Sequence, residues 1–73
     1  MISYDQMYLS QRLSETYEDS APLSPAAVEG LNTTYGMELV TAQMRMLHGF
    51  PPRDPVRNIY AYLRTMCYRN TVL

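Results

Sequence analysis

The sequence runs to 73 residues with one cysteine, one histidine, no tryptophan and no lysine. A lone cysteine excludes an intrachain disulfide framework. Cys67 and His48 together fall short of the ligand set of a structural zinc site. Below roughly 70–80 residues a single core is marginal without such supports, so the chain is one domain at most. So short a chain also leaves little interior from which to carve a substrate pocket. Long hydrophobic runs are missing too. The longest, Ile59 to Leu63, is far short of the ~20 residues of a membrane span. Met1-Ile2-Ser3-Tyr4-Asp5 has neither the basic region nor the apolar stretch of a secretion signal. The expected location is therefore the cytoplasm, where a reduced cysteine is at home. Without a secretion signal, the sequon Asn32-Thr33-Thr34 reads as chance. No repeat, low-complexity tract or cofactor motif is present, and no small-molecule substrate is expected.

What is there suits a folded domain: 47% apolar and 18% charged residues. The net charge of −1 conceals an asymmetry. Residues 1–38 carry six acids (Asp5, Glu15, Glu18, Asp19, Glu29, Glu38) and one base, Arg12. Residues 39–73 carry five bases (Arg45, Arg53, Arg57, Arg64, Arg69) and one acid, Asp54. Every base is arginine, whose planar fork suits carboxylates, phosphates and protein interfaces. Either the two halves attract each other and help close the domain, or the surface is bipolar and meets partners of different charge.

Proline and glycine divide the chain into four helical segments, predicting an all-α fold, a small bundle of about four short helices. The first runs from Ser3 to about Tyr17, opened by the capping box Ser3-Tyr4-Asp5-Gln6. Ile2, Leu9, Leu13 and Tyr17 share one side of its wheel, and Tyr4, Met7 and Tyr8 lie nearly opposite. Glu18 to Ser24 reads as a linker. The second helix has Ser24 as N-cap and Pro25 in the first helical position, where a missing N–H is harmless. Its stripe is Ala27, Val28, Leu31 and Tyr35, and Gly36 is a left-handed stop. The third, Met37 to His48, is apolar over about half its circumference, as expected of a central helix. It should stop at Gly49, with Phe50 folding back onto its last turn and Pro51-Pro52 forbidding continuation. The fourth has Asp54 as N-cap and Pro55 in its first turn, followed by Val56, Ile59, Tyr60, Leu63 and Cys67 at spacings of three and four. Its end, about residues 70–73, is expected to fray.

No catalytic set emerges. Cys67 lies on an apolar face, where a thiol behaves as a small hydrophobe, and His48 suits the negative end of a helix dipole. Glu15, Glu18 and Asp19 lack the spacing of a calcium loop and read as a solvated helix end. Ala26 and Gly30 have the spacing of a helix-turn-helix motif. Gly36 stands where that motif needs an apolar residue, and the would-be recognition helix carries only Arg45. The fourth helix carries Arg57, Ala61, Arg64 and Tyr68 on one stripe and Tyr62 and Arg69 on the other flank. Arginine interleaved with tyrosine suits a protein hot spot, and equally a nascent RNA or DNA backbone. The partner-binding residues expected from the sequence are thus Tyr4, Met7, Tyr8, Arg57, Arg64, Tyr68 and Arg69.

In its length, bipolar charge, surplus aromatic surface and lack of a catalytic set, the whole chain resembles the small lytic-phage-encoded regulators that bind bacterial RNA polymerase. That resemblance rests on overall character, with no diagnostic motif, and transfers no functional residue. It implies contacts with both large catalytic subunits near the RNA exit channel, displacement of the promoter-specificity factor, and antitermination. The expected function is therefore non-enzymatic regulation of host transcription by protein–protein contact. A small helix-turn-helix-like repressor and an inhibitor of another host protein are the alternatives.

Overall fold

The computed structural model describes residues 1–71 and contains four helices: α1 (Tyr4–Thr16), α2 (Pro25–Tyr35), α3 (Met37–Gly49) and α4 (Ile59–Thr71). The all-α bundle expected from periodicity is what forms. The Ser3 capping box closes in both directions. Gln6 N–H donates to Ser3 Oγ at 3.1 Å, and Ser3 N–H donates to Gln6 Oε1 at 3.3 Å. Ser24 caps α2 by accepting from Ala27 N–H at 3.1 Å, with Pro25 in the first turn. A single residue, Gly36, then ends α2 and opens α3. Its backbone (φ 90°, ψ 142°) is open to glycine and strained for any residue with a Cβ.

α2 and α3 each pack against both α1 and α4, while α1 and α4 barely touch each other. The central pair thus separates two outer helices. The core collects Leu9 and Leu13 from α1, Val28 and Leu31 from α2, Val40, Met44 and Leu47 from α3, and Ile59, Leu63 and Cys67 from α4. Leu23 and Val56 complete it from the connections.

Polar pins hold the outer helices to the central pair. Gln6, fully buried, exchanges amide hydrogen bonds with Asn32 of α2: Nε2 donates to Asn32 Oδ1 at 2.8 Å, and Asn32 Nδ2 donates back to Oε1 at 2.9 Å. The asparagine of the sequon is thereby engaged inside the fold. On the far side, Asn70 Nδ2 donates to Gln43 Oε1 at 3.2 Å, joining α4 to α3. Among the described residues no buried side-chain nitrogen or oxygen lacks a partner.

Three expectations are corrected. First, α4 begins at Ile59, not after Asp54, because Asn58 is the cap, its Oδ1 accepting from Ala61 N–H at 3.0 Å. Ser20 from the α1–α2 connection also accepts from Ile59 N–H at 2.8 Å, a cap 39 positions away in sequence. Second, the 18–24 segment is more than a linker, since Leu23 is buried and its N–H donates to Ser14 Oγ. Third, α3 ends at Gly49 as expected, but Phe50 does not fold back onto its last turn. Phe50 leaves the helix at φ −132°, ψ 75°, outside the helical region that a following proline disfavours, and stays 75% exposed. Gly30 lies inside α2, as the stripe from Ala27 to Tyr35 predicts, and so offers no turn for a helix-turn-helix motif. At the C-terminus, Asn70 and Thr71 continue α4, and positions 72 and 73 of the expected frayed end lie outside the described residues.

Gly30 inside α2 and Gly36 at its end give opposite tests. A Cβ at Gly30 meets nothing within 4 Å, and alanine there favours the helix by up to about 1 kcal/mol. A Cβ at Gly36 is strained by the positive φ, with a penalty of about 1–3 kcal/mol. Thermal melts should therefore place Gly30→Ala above the parent protein and Gly36→Ala below it.

Candidate interaction surfaces

The sequence singled out an α1 face and an α4 stripe, and the fold places them on the two helices that barely touch. On α1, Gln6, Leu9, Ser10 and Leu13 turn inward, which leaves Tyr4 93%, Tyr8 58% and Met7 46% exposed. Asp5 lies beside this face and meets Arg45 of α3, with Nη2 to Oδ2 at 2.8 Å. Arg12 pairs with Glu15 one turn along the same helix at 3.6 Å.

On α4 the expected stripe comes apart. Arg57 precedes the helix, so helical spacing does not align it with Arg64 and Tyr68. Instead it lines a groove of about 350 Å³ together with Tyr62, Met66 and Arg69. The groove floor is apolar, from Val56, Ala61 and Met66, and none of its lining residues is acidic. Arg64 and Tyr68 lie on the other flank of α4. There the Arg64 guanidinium stands over the Tyr60 ring, 5.6 Å from its centre, held by attraction to the π face. The sequence missed the groove because the 51–58 connection, read as helix from Asp54 onward, runs irregularly and brings Arg57 to the Tyr62 side.

The charge asymmetry survives folding. Of the five arginines in the C-terminal half, Arg45 alone lies within 4.0 Å of a carboxylate among the described residues. Arg53, Arg57, Arg64 and Arg69 have no such partner there. The attraction between halves that composition allowed is one exposed ion pair, a contact that contributes about 0–1 kcal/mol.

Other reactive groups serve the fold. Tyr17 donates its hydroxyl to the Leu47 carbonyl at 3.0 Å, tying the end of α1 to the end of α3. Burial, with a smaller effect of Tyr62 nearby, raises its pKa. Cys67 is fully buried, and desolvation raises its thiol pKa. No group of three His, Cys, Asp or Glu side chains converges to hold a metal among the described residues. No described helix is long and apolar enough to cross a membrane. The chain matches no family model, and no curated protein or solved structure is significantly similar to it.

The raised Cys67 and Tyr17 values have one sign. The unfolded thiol and phenol ionise first as pH rises, so the unfolded state binds fewer protons there and stability declines. The melting temperature should fall as pH climbs past the ordinary thiol range, near about 8.5, and on toward that of tyrosine. Labelling of Cys67 by a thiol reagent should be slow in native buffer and fast in urea. Rapid native labelling would contradict its place in the core.

Proposed function

We propose that this protein is a non-enzymatic helical module that regulates by binding, and that its partner is a protein. The observation that carries this reading is the set of four arginines on the C-terminal half that have no carboxylate within 4.0 Å among the described residues. Arginine and tyrosine are enriched where proteins bury hot spots, and Tyr60, Tyr62 and Tyr68 stand exposed beside Arg57, Arg64 and Arg69. The outward Tyr4, Met7 and Tyr8 supply a second apolar surface on α1.

A repressor acting on duplex DNA is the weaker reading. Gly30 lies within α2 rather than at a helix-turn-helix turn. The overall charge of −1 also works against a polyanion, whose binding draws on many phosphate contacts.

The resemblance to small phage regulators makes bacterial RNA polymerase, through its large subunits, the partner to test. On this reading the module occupies the polymerase and competes with the promoter-specificity factor. Its effect is bounded by its differential affinity for the two polymerase states. Immobilised protein should retain purified polymerase core, and adding it before the specificity factor should lower promoter-dependent transcripts in vitro. If core enzyme passes unretained and transcription is unchanged, the polymerase assignment is wrong.

A further inference from the structure

We propose that the groove between α4 and the 51–58 connection is a docking site for an acidic amphipathic helix of the partner protein. This rests on the reading of the chain as a protein-binding module and specifies what that module grips. The groove has an apolar floor of Val56, Ala61 and Met66, with Tyr62 along it. Arg57 enters it from the connection before α4 and Arg69 from near the C-terminal end of α4, neither within salt-bridge distance of a carboxylate among the described residues. Eleven positions of mostly helical backbone separate Asn58 from Arg69, roughly 16 Å along the axis at ~1.5 Å per residue.

This spacing defines the occupant. A helix lying along the groove would present apolar side chains to the floor and a carboxylate to each guanidinium. Its two acidic residues would stand about three turns apart on one face. Each guanidinium can hold a carboxylate bidentately, which fixes register as well as affinity.

Two other occupants fit less well. A second copy packed across the groove with two-fold symmetry would bring like arginines together. A phosphate backbone would find two cations on an apolar floor, whereas polyanion binding draws on a longer array of cations.

The test uses a labelled helical peptide with glutamates about three turns apart on one face and leucines between them. Fluorescence polarisation measures binding to the intact protein, and NMR shift changes map the contact. Binding should perturb Ala61, Tyr62, Thr65 and Met66 and spare Tyr4 and Tyr8. Replacing both glutamates by glutamine, or making Arg57→Ala with Arg69→Ala, should weaken binding by at least about tenfold, with helix content unchanged. A peptide with lysine at the second acidic position should bind Arg69→Glu better than it binds the parent protein.

Equal affinity for the glutamate and glutamine peptides would overturn the proposal. So would shifts confined to α1, preferential binding of an RNA or DNA oligonucleotide, or self-association that occludes the groove. Polymerase retention unaffected by the double arginine variant would leave the functional reading standing and remove the groove from it. Peptide capture without polymerase retention would do the reverse.

Discussion

One backbone conformation organises this small protein. At Gly36 the chain passes from α2 to α3 in a single residue with φ 90°. No connection remains to adjust how the two helices meet, so they form the unit on which the others assemble. α1 packs on one side of it and α4 on the other. Every helix has an inward face drawn from its apolar stripe. The outward faces of the two outer helices lie apart. Most of the exposed tyrosine lies on those two helices, Tyr4 and Tyr8 on α1 and Tyr60, Tyr62 and Tyr68 on α4, while α3 exposes Met37 and Met46.

The forces that hold the fold leave most of its charge free. The core is apolar, and its few buried polar groups, Gln6, Ser10, Thr41 and Gln43, are satisfied by hydrogen bonds. The Gln6–Asn32 exchange pins α1, and Asn70 to Gln43 pins α4. These are amide contacts, indifferent to salt. The cross-half ion pair of Asp5 and Arg45 is exposed and adds little. A domain closed by attraction between its acidic and basic halves would weaken as salt screens that attraction. This one is closed by burial and amide exchange, so Arg53, Arg57, Arg64 and Arg69 are available to a partner without loosening the core.

Much of the fold was legible because local chemistry and tertiary packing agree. The capping box at Ser3, the Ser24–Pro25 start and the break at Gly36 are local signals, and each operates as its residue types require. Leu9 and Leu13 inward with Tyr4 and Tyr8 outward follows from helical spacing alone. What escaped the sequence depends on contacts between distant residues. Pro55 after Asp54 imitates a helix start, but the true start at Ile59 is fixed by Asn58 together with Ser20 from another connection. Leu23 looks like part of a linker and is core. Phe50 looks like a staple and is exposed, because Pro51 dictates its backbone. The groove was invisible for the same reason as the true start of α4. Helical spacing put Arg57 beside Arg64, and the irregular connection puts it with Tyr62 and Arg69 instead.

The central claim is that the arginines without a carboxylate partner among the described residues are the ones a partner covers. Arginine modification with phenylglyoxal, read residue by residue by mass spectrometry, measures this directly in the free protein and in the presence of RNA polymerase core, the proposed partner. All six arginines belong to one small chain, so Arg12, paired with Glu15 on α1, serves as the internal reference. The account predicts that Arg57 and Arg69 become strongly protected in the complex while Arg12 reacts as it does in the free protein. Protection of Arg12 with Arg57 and Arg69 left as reactive as before would contradict it.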